Sequence, residues 1–124
     1  MRLERPETKH LSEPWFSLVA TGKKVFEGRL GNSSFASEAS AGTEISFFND
    51  DLPGRRRRAT VIVTGKKRFP SFRAMLGSGP KALEKTLPTV KSVDDGVAVY
   101  RAFYTAEDER RHGVVRLRLR SLNR

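Results

Sequence analysis

The 124-residue chain contains no cysteine. Disulfides, thiolate metal sites and cysteine nucleophiles are excluded, which fits a reducing compartment. No apolar run approaches the length of a membrane span, and the first residues, MRLERPETKH, lack the apolar core of a signal peptide. The expectation is an intracellular, cytoplasmic protein, or a nuclear one in a eukaryote, with no membrane partner. Histidine is scarce too. His10 and His112 stand far apart and without a carboxylate motif, so neither a metal site nor a Ser-His-Asp triad has support. His112 reads instead as a cation closing a helix. No cofactor is expected.

Acids are missing from two stretches. None occurs from Leu52 to Leu83, where Arg55, Arg56, Arg57, Arg58, Lys66, Lys67, Arg68, Arg73 and Lys81 fall, and none follows Arg110, after which come Arg111, Arg116, Arg118, Arg120 and Arg124. The formal net charge is +10. A domain this basic, with its cations clustered, favours a polyanionic partner over a merely solvated surface. RNA is the expected partner, single-stranded or structured, with DNA as the alternative. The run Arg55 to Arg58 reads either as a phosphate grip or as a localisation signal.

The length suffices for one core without staples. Residues 1–8 read as an extended tail and residues 9–124 as one domain, expected to be monomeric. HLSEPWFSLVATG reads as a strand end followed by a helix, capped by Ser12, carrying Trp15, Leu18 and Val19 on one face and ended by Gly22. KKVFEGRL alternates, with Phe26 and Leu30 on one face and Val25, Glu27 and Arg29 on the other. GNSSFASEASAG reads as a small-residue loop, TEISFFN as a strand, NDDLPG as a turn and RRATVIVTGKKRF as a longer strand. Short helices are expected at SFRAML and PKALEKTL, then a helix capped by Ser92 with a Val93, Val97, Tyr100, Tyr104 stripe, then one capped by Thr105. In the last strand Val115, Leu117 and Leu119 oppose Arg116, Arg118 and Arg120. The pattern predicts an α+β fold: a small mixed or antiparallel sheet, curled or closed, with several short helices outside it.

The segment EPWFSLVATGKKVFEGRL resembles the opening of the activating signal cointegrator homology (ASCH) domain, whose hallmark is a GxKxxExR signature after a first helix. Gly22, Lys24, Glu27 and Arg29 fill every marked position. GVAVYRAFYTAEDERRHGVVRLRL resembles the family's last helix and closing strand. The resemblance spans Lys9 to Leu122 and implies a PUA-like β-barrel flanked by helices and associated with RNA. One branch of the family removes acetyl groups from N4-acetylcytidine, and ribonuclease activity is attributed to another member. The deacetylating branch uses the signature lysine, a threonine and a downstream glutamate. Here the lysine is Lys24, but the threonine position holds Glu27 and the downstream position falls near Thr89, so that activity is not carried over.

Two readings of TGKKVFEGR stand side by side. Glu27 and Arg29 form a structural pair, or they join Lys23 and Lys24 in holding a ligand. On the second reading Lys24 is exposed and its replacement costs binding rather than stability. Tyr100 is core, or its hydroxyl reaches the same cleft. Trp15 is core at the helix base, or stacks on a nucleobase. The first functional expectation is an RNA-binding module with a basic groove and a GxKxxExR cleft. Its rival is a nucleic-acid-processing enzyme using Lys24 and Glu27, with Tyr100 as a weaker candidate.

Overall fold

The computed structural model describes residues 7–122. The tail expected over residues 1–8 lies outside them as far as residue 6, while Glu7 and Thr8 already belong to the first strand. In chain order the elements are β1 (Glu7–His10), α1 (Trp15–Ala20), β2 (Phe26–Leu30), α2 (Ser34–Glu38), β3 (Glu44–Leu52), β4 (Arg55–Phe69), α3 (Phe72–Leu76), α4 (Ala82–Thr86), α5 (Val93–Arg101), α6 (Ala106–His112) and β5 (Val114–Ser121).

The five strands form one mixed sheet in the order β1-β3-β4-β5-β2. Only β1 and β3 run parallel. The length of β4 explains the curl. Its first part pairs with β3 as far as Ile62, its second pairs with β5 from Val61 onward, and a register shift between Val63 and Gly65 bends it where one partner gives way to the other. The result is the curled, barrel-like α+β fold expected, a half-barrel left open between the edge strands β1 and β2.

Two apolar clusters fill it. Inside the curl, Ile45, Phe47, Val61, Val63, Val115 and Leu117 meet Phe16 and Val19 of α1. On the other side, Leu30 and Val114 meet Phe72, Met75, Leu76 and Tyr100 of α3 and α5. Trp15 packs against both.

The caps at Ser92 and Thr105 form as expected, each hydroxyl accepting from the backbone N–H three residues on, at 3.0 Å. Four local expectations are corrected. Residues 34–38 are helical rather than loop: Ser33 Oγ accepts from Ala36 N–H at 3.0 Å, and Ala36 and Ala39 are small because they pack directly into the core. The strand β3 runs through Asp50 and Asp51 to Leu52, so the turn shrinks to Pro53-Gly54, with Gly54 at φ +69°. Ser12 does not cap α1 through its side chain. The Glu13 carboxylate does that work, accepting from Ser17 N–H at 3.0 Å and Ser17 Oγ at 2.6 Å. Phe16 and Val19, not Trp15 and Leu18, are the fully inward pair of that helix.

Candidate ligand cleft and basic face

The unclosed seam of the half-barrel is a cleft of about 210 Å³. One wall is Lys24 with β2 at Glu27, Gly28 and Arg29. The other is the His10–Ser12 turn with Trp15, and the end of α5 from Val99 to Tyr104 roofs it.

Gly22 makes the turn into this wall. At φ +80° it lets the chain leave α1 while Lys23 N–H and Lys24 N–H both donate to Leu18 O at 2.9 Å. Lys23 is left exposed, but Lys24 turns inward and keeps only 3% exposure. Its ammonium has three donors. They meet Phe26 O at 2.6 Å, Thr86 O at 2.5 Å and Glu27 Oε1 at 3.4 Å. The expectation of an exposed, ligand-facing Lys24 is thus corrected: it borders the cleft but spends its protons on the protein.

Glu27 completes the unit. Its second oxygen accepts from Arg29 Nε at 2.8 Å. Burial alone would raise its carboxyl pKa, but the charges of Lys24 and Arg29 outweigh that and hold it below the ordinary value. For Lys24 burial wins instead and lowers the pKa, with Glu27 opposing. Three acceptors still face three donor positions, so the geometry fits the ammonium form. Arg29 is driven the other way: burial works against its charge, and Glu27 more than compensates.

Both alternatives for Tyr100 apply. Its ring is core, stacked on Phe72 at 4.1 Å and 8°, while its hydroxyl lies 3.1 Å from where a Cβ on Gly28 would stand, bordering the cleft. Burial first, then Glu27, raises its pKa, so it stays protonated. Tyr104 also stacks on Phe72, at 5.4 Å and 15°, and Phe103, 67% exposed, stands at the cleft's rim. Trp15 is half-buried against the core clusters and also lines the cleft, with Lys24 Nζ 5.9 Å from its ring.

The other candidate residues separate into two sets. In the arginine run, Arg56 is held by Asp50 through two hydrogen bonds of 2.8 and 2.9 Å. Arg57 pairs with Glu13 at 3.0 Å and with Asn49 Oδ1 at 2.5 Å, and so ties β4 to the start of α1. Arg55 and Arg58 are exposed. The run is therefore not one grip: Arg56 and Arg57 are already neutralised. Lys66 donates to Ala39 O at 3.0 Å.

The second set is the outward face of β4 and β5. Lys67 lies directly across from Arg116, and Arg118 across from Gly65 on one side and Phe26 on the other. Arg116 lies over the Phe26 ring at 4.0 Å and near Phe69 at 4.9 Å, while Lys67 lies 5.3 Å from Phe69. Partial burial, then the neighbouring Arg118, pulls the Arg116 pKa down. Arg118 and Arg120 are exposed and line a second groove, about 520 Å³, that reaches Gly22 and Thr64. Among the described residues, Lys67, Arg116, Arg118 and Arg120 have no acid partner. No group of three or more metal-ligating side chains occurs among the described residues, nor any helix long and apolar enough to cross a membrane.

Sequence reasoning missed the buried Asn49, whose Nδ2 donates to Leu11 O at 3.1 Å and so holds the turn opposite β2. It also missed Glu109, which accepts from Phe72 N–H at 2.6 Å and Arg101 at 3.1 Å and seats α3. Neither role carries a local signal, since the backbone groups they hold, Leu11 O and Phe72 N–H, are 38 and 37 residues away.

Known proteins match this geometry. The ASCH-domain family profile aligns with residues 10–122. The crystal structure of hypothetical protein PH0355 is 33% identical, covering 98% of this chain and 100% of that one, with a TM-score of 0.80. The solution NMR structure of protein PF0455 from Pyrococcus furiosus is also 33% identical, covering 100% of both chains, with a TM-score of 0.75. No curated protein matches the chain.

Proposed function

The chain belongs to the ASCH-domain family, whose members are generally RNA-binding modules, and on that premise we propose that it binds single-stranded RNA through the outward face of β4 and β5, with one nucleotide entering the cleft. The observation that carries this reading is the row Lys67, Arg116, Arg118 and Arg120, which faces solvent without an acid among the described residues. Like charges side by side repel, and a phosphate backbone relieves that repulsion. The Phe26 and Phe69 rings beneath Arg116 and Lys67 hold these side chains flat against the sheet, which preorganises the face.

We assign Lys24 and Glu27 to building the cleft wall rather than to chemistry, because they pair with each other, Lys24 spends its remaining donors on two backbone carbonyls and Glu27 accepts from Arg29. The enzyme reading loses its general base on this account.

The test is a salt titration of binding to a single-stranded oligoribonucleotide, with duplex RNA and single-stranded DNA alongside. A log–log slope of several units is expected, at about 0.7 per phosphate contact. A slope near zero, or equal binding of an uncharged polymer, overturns the reading.

A further inference from the structure

Gly28 sits in the middle of an edge strand. The β2–β5 ladder is bracketed by hydrogen bonds from Leu119 N–H to Val25 O at 2.7 Å and from Gly31 N–H to Gly113 O at 2.9 Å. Between them the register runs unbroken from Phe26↔Arg118 to Leu30↔Val114. In an antiparallel ladder hydrogen-bonded pairs alternate with non-bonded ones. Residues 25, 27, 29 and 31 therefore bond to β5, and the N–H and C=O of residues 26, 28 and 30 point the other way, where β2 has no neighbouring strand.

Two of those carbonyls are used locally. Phe26 O accepts from Lys24, and Leu30 O accepts from Ser33. At Gly28 neither the N–H nor the C=O has a hydrogen-bond partner among the described residues, yet the residue is buried and borders the cleft. Buried backbone polar groups are nearly always paired. Glycine is required here because Met75 and Tyr100 pack directly onto the strand: a Cβ would lie 2.8 Å from Met75 Cε and 3.1 Å from the Tyr100 hydroxyl. Trp15 gives the far wall an aromatic face, and Phe103 and Tyr104 add aromatic surface in the roof. At about 210 Å³ the cleft is smaller than sites enclosing a whole drug-sized ligand, which run roughly 300–1,000 Å³, so it suits one ring system.

We propose that the main chain of Gly28 reads the edge of one unpaired nucleobase, its N–H donating to the base and its C=O accepting from it, with the ring against the aromatic wall. This deepens the RNA-binding reading and rests on it. The ligand class is a planar heterocycle with a donor beside an acceptor, of which the –CO–NH– edge of uracil or hypoxanthine is the simplest. A base in a duplex spends that edge on its partner, so only a single-stranded or extruded base qualifies.

Gly28→Ala would crowd Met75, so the informative change is made on the ligand. The probes are uridine and inosine, each against its counterpart methylated on the edge nitrogen, N3-methyluridine and N1-methylinosine, followed by ¹H–¹⁵N NMR. Uridine or inosine is expected to move the Gly28 amide resonance, and methylation to weaken binding by about tenfold or more, the effect of an edge hydrogen bond lost and a clash gained. Salt should leave these neutral ligands unaffected. Equal binding of parent and methylated nucleosides, a stationary Gly28 amide, or no nucleoside binding at the solubility limit each overturn the inference. If RNA still binds with its steep salt slope in those cases, the basic face stands and only the base-reading cleft falls. If RNA does not bind, both fall.

Discussion

Two groups of cations flank the β2–β5 edge, and the protein treats them in opposite ways. Lys24 and Arg29 are withdrawn into the cleft wall with Glu27 between them: Lys24 spends its donors on the carboxylate and on two carbonyls, and Arg29 gives its Nε–H to the same carboxylate. Lys67, Arg116, Arg118 and Arg120 lie on the outward face with no acid beside them among the described residues. The difference follows from solvent. A buried charge left unpaired costs several kcal/mol, so an internal partner is obligatory. An exposed one tolerates solitude and keeps its charge for an incoming anion. Charge count alone does not locate a binding surface; the position of the acids does.

The largest expected effect breaks the buried group. Lys24→Met leaves Phe26 O and Thr86 O without their donor and Glu27 with Arg29 alone. A loss of about 3–5 kcal/mol is expected, the range for removing one partner of a buried pair. Urea unfolding measures it. A stable Lys24→Met variant that binds RNA more weakly would restore the ligand-facing reading of this lysine.

The matching change outside is Arg116→Gln with Arg118→Gln and Arg120→Gln. Three lost phosphate contacts should lower the salt slope by about 2 units. The melting temperature should fall only slightly, since no ion pair is broken and only the Arg116 contacts with Phe26, Phe69 and the Ser78 hydroxyl are lost. A triple variant that binds RNA like the wild type would leave this face as solvated surface only.

Much of this contrast could be read in the sequence, and the part that could not has a physical reason. The alternation of Val115, Leu117 and Leu119 with Arg116, Arg118 and Arg120 announces one wet and one dry face, and the strand is built that way. The caps at Ser92 and Thr105 are local, three residues from their partners, and so were legible. Gly22 and Lys24 fall in the link between the helix α1 and the strand β2, and Glu27 and Arg29 in that strand, as the sequence pattern has them. The burial of Lys24 was not legible, because the carbonyl that draws it inward, Thr86 O, is 62 residues away. The Gly28 edge was hidden for a similar reason: an unpaired backbone group exists only once the strand order makes β2 an edge. The helix α2 was missed because its alanines signal close packing, which composition cannot separate from a loop of small residues.

Acid sharpens the comparison further. The folded-state pKa of Glu27 lies below the ordinary 4.5. A depressed carboxylate contributes stability that is fully present above its unfolded value and lost as pH falls through the folded one. The wild type should therefore lose stability below about pH 4.5 as this pair discharges. Glu27→Gln should begin less stable at neutral pH and fall less on acidification. Parallel stability–pH curves for the two proteins would mean that Glu27 does not carry the charge of the buried group.

The smallest expected effect separates two arginines that look alike in sequence. Arg56 belongs to the densest basic run and Arg118 to an alternating strand, and both were candidates for phosphate contact. Arg56 is bound by both oxygens of Asp50 through its Nε and Nη2 donors, and its guanidinium lies 4.4 Å from the Phe48 ring. A phosphate approaching it meets a neutral pair and the Asp50 charge. Arg118 has Gly65 and Phe26 as cross-strand neighbours, and neither competes for its charge. Arg118→Gln should thus reduce the RNA salt slope by about 0.7, one single-strand contact. Arg56→Gln should leave the slope unchanged, and Asp50→Asn should increase RNA affinity slightly by freeing Arg56. Fluorescence anisotropy with a labelled oligoribonucleotide across a salt series resolves the three. Equal slope losses for Arg56→Gln and Arg118→Gln would mean that RNA opens the Asp50 pair and draws on the whole basic surface, and the division between committed and available cations would dissolve.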